Sequence, residues 1–239
     1  MNTGFRRPDR ELIERLEKLS PASATVWSAL VKLGLRSSFL MEGIRPIASG
    51  SSVVGPAVTV EYRNYGDVGI ALTVDDFRRS AVFKACDATE KGDVVVLGAL
   101  GNPSGIIGDC MAFGFKVKGA KGIVIDGGVR DSPIIIHRYR FPVFARNVTP
   151  TASSYQVWPT NFNVPIKCGG VLVKPGDVIV GDDDGVVVIP QHLLKDVVEF
   201  AEREVKIEEI GKKKMLEEIP KGKSLGEFYP PKEEWLEEK

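Results

Sequence analysis

Histidine is nearly missing: the 239 residues hold two, His137 and His192. A three-histidine zinc site is therefore excluded, and any metal must rest largely on carboxylate and water. Cysteine is scarce and odd in number. Cys86, Cys110 and Cys168 stand far apart, which argues against a disulfide framework and for buried thiols in a reducing compartment. Net charge is absent as well, with 32 basic side chains against 32 acidic ones. No global positive field exists to gather nucleic acid or an anionic membrane, so neither is an expected partner. No apolar run approaches the ~20 residues of a bilayer span. The opening Met1-Asn2-Thr3-Gly4-Phe5-Arg6-Arg7 meets Asp9 and Glu11, not the apolar core of a signal peptide. The expectation is a cytoplasmic protein.

What is present is a core and an arm. Hydrophobic residues make up 43% of the chain and there are 25 glycines, a composition that fits one globular domain with an appendage. Two amphipathic helices are predicted first. One carries Leu12, Ile13, Leu16 and Leu19 on a stripe; the other is capped by Ser20, with Pro21 in its first turn, and stops at Gly34. From Val53 onward, short Val/Ile runs read as strands: Val58–Tyr62, Val94–Leu97, Ile123–Ile125, Val143–Ala145, Val171–Val173, Val178–Val180 and Val186–Ile189. Helices are predicted over Val74–Cys86 and Asp109–Val117, and tight turns at Lys174-Pro175-Gly176-Asp177 and Asp182-Asp183-Asp184-Gly185 make a meander of the last three strands. This is a mixed α/β pattern. From Lys195 onward about half of the residues are charged, with apolar Leu194, Val197, Val198, Ala201 and Val205 at helical spacing up to Pro220. The expected division is an α/β domain over residues 1–190, N-terminal helices included, and a charged helical extension over 191–239.

Two segments carry chemistry. The glycine-rich Gly98-Ala99-Leu100-Gly101-Asn102-Pro103-Ser104-Gly105-Ile106-Ile107-Gly108-Asp109 lies between a strand and a helix, where backbone amides and the helix start can receive a phosphate or a carboxylate. A flexible surface turn is the equal alternative, and there is no Gly-Lys-Ser/Thr ending or dinucleotide fingerprint. Ile123-Val124-Ile125-Asp126-Gly127-Gly128-Val129-Arg130-Asp131 runs from a buried strand into adjacent Arg and Asp. Loops at strand ends are where α/β folds place reacting groups, although an isolated Arg-Asp is usually a surface pair. Their combination, with Asp109 one helix and one strand before Arg130, is more specific than either.

At this point the chain resembles the RraA-like proteins, whose enzymatic branch comprises the 4-hydroxy-4-methyl-2-oxoglutarate and 4-carboxy-4-hydroxy-2-oxoadipate aldolases. The likeness runs from about Gly55 to Pro190. It is carried by Gly55-Pro56-Ala57-Val58-Thr59-Val60, Lys91-Gly92-Asp93-Val94-Val95-Val96, Gly122 through Asp131, Phe141-Pro142-Val143-Phe144-Ala145-Arg146, and Pro175-Gly176-Asp177 through Pro190. The resemblance implies a swivelling β/β/α sandwich, with N-terminal helices and a C-terminal helical arm, assembled as a homotrimer or a dimer of trimers. It implies that Asp131 binds a divalent metal, usually Mg2+ with Mn2+ an alternative, that Arg130 contacts a small 2-oxo acid substrate, and that Gly108, Asp109, Cys110 and Met111 form the loop holding its pyruvyl end. Asp109, through a water, is then the candidate for proton transfer. The implied activity is metal-dependent class II aldol cleavage to pyruvate, with oxaloacetate decarboxylation through the same enolate. The alternatives are an RraA-type protein that binds and regulates a ribonuclease, and a related 2-oxo acid decarboxylase. The chain departs from the family at Ser28-Ala29-Leu30, where Asp-Ala-Leu is common, and at Cys110, where an apolar residue is usual. The aldolases also draw a glutamate from a neighbouring subunit's C-terminal helix; Glu199, Glu202 and Glu204 are the candidates.

The remaining features have ordinary explanations. Asp182-Asp183-Asp184-Gly185 reads as a hairpin turn, because it lacks the spaced ligands of a calcium loop. His137 reads as a surface or packing residue, His192 as part of a helix start, Cys110 as a small buried residue and Lys212-Lys213-Lys214 as a solvated helix face.

Overall fold

The chain opens with two helices. α1 (Arg10–Glu17) starts at Asp9, whose carboxylate accepts the Glu11 amide, and it buries Ile13 and Leu16. α2 (Ala22–Lys32) is followed by Gly34 at φ +88°, where a side chain would be strained. The expected cap at Ser20 and Pro21 lies outside the described residues, which in this computed structural model are 5–19, 22–35, 39–68, 73–154 and 156–237. Next come β1 (Arg45–Pro46), β2 (Val53–Asn64), the short helices α3 (Tyr65–Val68), α4 (Val74–Arg78) and α5 (Ala81–Ala88), β3 (Val94–Ile107), α6 (Asp109–Val117) and β4 (Gly122–Val129). A π-helix over Ile134–Tyr139 leads to β5 (Val143–Val148), β6 (Val157–Phe162), β7 (Ile166–Cys168), β8 (Val171–Val173), β9 (Val178–Asp182), β10 (Gly185–Ile189) and the long α7 (Leu194–Glu218).

Eight strands form one mixed sheet in the order β1-β5-β4-β3-β2-β9-β10, with β6 also on β2. The centre, β2 to β5, is parallel. β2 joins its parts: Val53–Pro56 pairs with β9, Ala57–Glu61 with β3 and Val60–Asn64 with β6. Side chains alternate across a strand, so each Val/Ile run feeds two cores. Val95, Leu97, Ile123 and Ile125 face α5 and α6, while Val94, Val96 and Val124 meet Ile179, Val186 and Val188 of the second β layer. Val178, Val180, Val187 and Ile189 turn the other way, toward α1, α2 and α7. The result is a β/β/α layering with an additional helical layer.

That outer layer is also tied by charge. Arg15 of α1 donates two hydrogen bonds, of 2.8 and 2.7 Å, to Glu202 of α7, and Lys32 of α2 reaches Glu204 at 3.2 Å. Past α7 the tail folds back, and the Trp235 ring fills the space left at Gly211, where a Cβ would meet it at 2.7 Å. Among the described residues no helix is long and apolar enough to cross a membrane.

Several sequence expectations need correction. The helix over Val74–Cys86 is two helices: a Thr73–Asp76 capping box starts the first, Arg79 ends it, and Ser80 opens the next. The glycine stretch after Leu97 is not a free loop, because β3 continues to Ile107. β8 pairs with β7 and not with β9, through a turn at Gly169 and Gly170 with φ of +55° and +85°, so only β9 and β10 form the expected final hairpin. The Asp182–Asp184 cluster is a turn, as expected, and two of its carboxylates are committed: Asp182 accepts from the Ser23 amide and hydroxyl, and Asp183 from Ser49 and Gly50.

Leu16 is fully buried where α1 meets the outer core. Leu16→Ala is expected to cost about 2–5 kcal/mol in urea unfolding, as for other buried leucines.

Candidate active site

Past Leu97, the pairing of β3 with β4 slips three times, bringing Asn102 to Gly127, Gly105 to Gly128 and Ile107 to Val129. The glycine pair after Asp126 permits this crossing: a Cβ at Gly128 would lie 2.6 Å from the Pro103 carbonyl and 2.7 Å from that of Ser104. These glycines serve backbone packing, and the candidate chemistry starts only where β3 ends.

There, Gly108 caps α6 and Asp109 is its first residue. The Arg130 amide donates to the Ile107 carbonyl at 3.0 Å, which fixes the end of β4 beside the helix start. Asp131 follows at φ +57°, in the left-handed region that Asp tolerates better than most residues. Its Oδ2 accepts the Asp109 amide at 3.3 Å and lies 3.3 Å from Arg130 Nε. Gly108 makes this approach feasible, since a Cβ there would sit 2.6 Å from Asp131 Oδ2 and 2.9 Å from Arg130 Nε. The carboxylate thus rests against a helix N-terminus, whose partial positive charge favours it.

The Asp131 carbonyl accepts from the Ile134 and Ile135 amides and so starts the π-helix. That helix carries Tyr139 back to the site, where its hydroxyl donates to Asp109 Oδ2 at 3.5 Å, the long end of a hydrogen bond. Tyr139 also packs on Phe113, with ring centroids 4.9 Å apart, and its carbonyl accepts from Lys116 Nζ. Sequence reasoning missed Tyr139, since a tyrosine in an irregular segment carries no spacing signal.

Gly108, Met111 and Arg130 line a cleft of about 350 Å³ together with Gly105 and Ile106. Asp109 and Asp131 adjoin it through these neighbours. The rest of the cleft is lined by Tyr65, Phe77 and Trp158, none of which sequence reasoning singled out, by Val74 and Val157, and by Thr73, Ala152, Ser153 and Ser154. Trp158 meets Tyr65 edge-on at 6.2 Å and Phe77 at 5.7 Å. Cys110, expected to be buried, is exposed. The other two thiols are partly or fully covered, and burial pushes Cys168 well above the ordinary thiol range. His137 is exposed on the π-helix.

Among the described residues no group of three His, Cys, Asp or Glu side chains is placed to hold a metal ion. The donor set nevertheless suits one class of ion. The Asp131 carboxylate meets the Asp109 amide and Arg130 through Oδ2, and among the described residues Oδ1 takes no hydrogen bond. One free hard oxygen, with water and a chelating ligand supplying the rest, is how Mg2+ or Mn2+ is commonly held.

The family model described as RraA-like, Aldolase/RraA, matches residues 23–188, more than half of the chain. The protein belongs to the RraA-like family. A relative from Halalkalibacterium halodurans, named "Putative 4-hydroxy-4-methyl-2-oxoglutarate aldolase", is 39% identical over 165 residues, covering 69% of this chain and 72% of its own. An uncharacterized protein of Methanocaldococcus jannaschii is 35% identical over 189 residues, covering 77% and 82%. Among solved structures, Streptomyces coelicolor RraAS2, described as an unusual member of the RNase ES inhibitor RraA protein family, superposes with a TM-score of 0.74 at 34% identity, covering 87% of this chain and 100% of that one. The architecture is the RraA-like fold, with its mixed eight-stranded sheet, N-terminal helices and long C-terminal helix. In this RraA-like chain the stretch from β3 to Asp131, which holds Gly108, Asp109, Arg130 and Asp131, lies wholly inside the matched region.

Gly108→Ala is expected to fold with an unchanged circular dichroism spectrum, because the clash falls on side-chain ends. If Asp131 holds a divalent ion, displacing its carboxylate weakens Mn2+ binding by about 10–100-fold, the usual cost of disturbing what orients a metal ligand. Paramagnetic resonance titration checks this.

Proposed function

We propose that this protein is a divalent-metal-dependent lyase that cleaves 4-hydroxy-2-oxo acids and releases pyruvate, a class for which the family resemblance names 4-hydroxy-4-methyl-2-oxoglutarate and 4-carboxy-4-hydroxy-2-oxoadipate. Decarboxylation of oxaloacetate is its side reaction. One observation carries this reading: Asp109, Arg130 and Asp131 converge on one helix start because Gly108 has no side chain. The halodurans relative supports the choice of chemistry.

Each residue has a task. Arg130, with its planar guanidinium, receives the substrate's carboxylate and 2-keto oxygen. Asp109, through a water, accepts the proton of the C4 hydroxyl. The C3–C4 bond then breaks, C4 leaves as a carbonyl, and the bond's electron pair passes into the C2 carbonyl to give the enolate of pyruvate. Arg130 stabilises the developing oxyanion, and the proton returns from Asp109 to C3. Tyr139, touching Asp109 Oδ2, orients that carboxylate. Asp131 would hold Mg2+ or Mn2+, which as a Lewis acid draws charge from the 2-keto group. Gly108, Cys110 and Met111 complete the loop around the pyruvyl end. The assembly that goes with this reading is a homotrimer or a dimer of trimers, each α7 reaching toward a neighbour.

A second reading is favoured by the likeness to RraAS2: a protein that binds a ribonuclease and has no catalysis of its own. Negligible turnover of both aldol substrates and of oxaloacetate by the Mg2+-loaded protein would select it.

Asp131→Asn retains tolerance of the left-handed backbone but removes the charge. Metal-dependent pyruvate release is expected to fall by about 100-fold or more, with the thermal midpoint little changed. Full activity in that variant, or activity that survives chelation, would exclude the metal from the reaction.

Asp109→Asn removes the proton acceptor and keeps the shape. Aldol cleavage should fall by about 10²–10⁴-fold. Oxaloacetate decarboxylation should fall less, because no hydroxyl proton has to be taken. Calorimetric affinity for oxalate should change little, and equal losses in both reactions would remove Asp109 from the first proton transfer.

A further inference from the structure

We infer that the far end of the substrate is apolar, and best of all aromatic, seated against Tyr65, Phe77 and Trp158; this rests on the reading above that Arg130 holds the pyruvyl end. Among the described residues that line the cleft, Arg130 is the only charged side chain. It is committed to the carboxylate and keto oxygen common to every 2-oxo acid. The acids named for the family carry one or two further carboxylates at or beyond C4; Thr73, Ser153 and Ser154 offer these hydroxyls, but among the described lining residues no second countercharge, and a carboxylate that leaves water without one is disfavoured. A neutral C4 substituent meets no such penalty.

The wall is also shaped to receive one. Trp158 stands edge-on to both Tyr65 and Phe77, at interplanar angles of 73° and 64°, and Phe77 stands edge-on to Phe83 at 89°, so the wall is a cluster of rings in the edge-to-face packing that a further aromatic group favours. Phe77 is 40% exposed and Val74 69%, so apolar surface beside a polar anchor is left to water in the free protein. A cleft of about 350 Å³ is within the range that small organic ligands fill. Three separate elements, α3, α4 and β6, bring these side chains together, and the break between α4 and α5 at Ser80 leaves α4 as a short separate helix beside the cleft.

The test compares kcat/KM of the Mg2+-loaded full chain for three acids that share the pyruvyl end. They are 4-hydroxy-2-oxo-4-phenylbutanoate, which would be cleaved to pyruvate and benzaldehyde, 4-hydroxy-4-methyl-2-oxoglutarate, and 4-carboxy-4-hydroxy-2-oxoadipate. The phenyl acid is expected to exceed each of the others by about 10–100-fold, the discrimination available to an apolar pocket. Phe77→Arg, at a half-exposed position that can accept a long side chain, should cut that ratio at least ~10-fold by adding the missing countercharge, and Trp158→Ala should lower it by removing ring contact. A wild-type ratio at or below one, with the carboxylate acids turned over, overturns the inference and leaves the lyase reading standing; so does a ratio unmoved in both variants. If none of the acids nor oxaloacetate is turned over, the lyase reading falls and binding decides instead. Phenylpyruvate is then expected to bind at least ~10-fold more tightly than pyruvate by calorimetry, and equal or weaker binding overturns the inference.

Discussion

The Asp131 carboxylate lies against the first amide of α6, 3.3 Å from Asp109 N, because residue 108 has no side chain. One unfavourable feature is held in place by that contact. Asp131 occupies the left-handed backbone region, which costs about 1–2 kcal/mol for a residue other than glycine. The partly exposed Arg130–Asp131 ion pair offsets little of this by itself. What offsets the cost is the surroundings: the Asp131 carbonyl accepts from the Ile134 and Ile135 amides, the Arg130 amide donates to Ile107, and the helix start favours the carboxylate. Strain of this kind persists only where neighbouring structure over-determines it.

Those neighbours are fixed in turn by β2. It pairs with β9, β3 and β6 along successive stretches, so one strand carries the parallel sheet that ends at Asp131, the second β layer and the strand that bears Trp158. The cleft therefore lies between two ends of a single construction. Its aromatic side and its Arg130 side are both referred to β2, and a shift in one pairing register would move them relative to each other.

The sequence made the candidate site residues legible and left the cleft hidden, for a physical reason. Asp109, Arg130 and Asp131 lie at the ends of one regular β-α-β passage, where strand ends and helix starts can be located from Val/Ile runs and glycines. The start of α6 at Asp109 and its end at Val117 agree with that expectation. Tyr65, Phe77, Trp158 and Tyr139 lie on short or irregular elements, and their convergence is decided by tertiary packing that no period records. The predicted helix from Val74 failed for a related reason: it is divided where α4 ends at Arg79 and the extended backbone of Ser80 starts α5, a break that the apolar spacing does not record. The glycine run misled in another direction. Glycines between a strand and a helix can bind an anion or admit a close backbone crossing, and from Gly98 to Gly105 the second applies.

The glutamates of α7 illustrate how existing contacts rank candidates that spacing leaves equal. Glu202 accepts both hydrogen bonds of the Arg15 guanidinium, an interaction that holds its pKa below the usual carboxylate range, and Glu204 pairs with Lys32. Both pairs fasten α7 to the N-terminal helices, so turning either glutamate toward a neighbouring subunit would give up a contact that fixes the outer layer. Among the described residues the ion pair of Glu199 is with exposed Lys195, one turn away at 3.8 Å, an arrangement that contributes little to stability. If α7 supplies a carboxylate to an adjacent site, Glu199 is the residue whose release disturbs the parent subunit least.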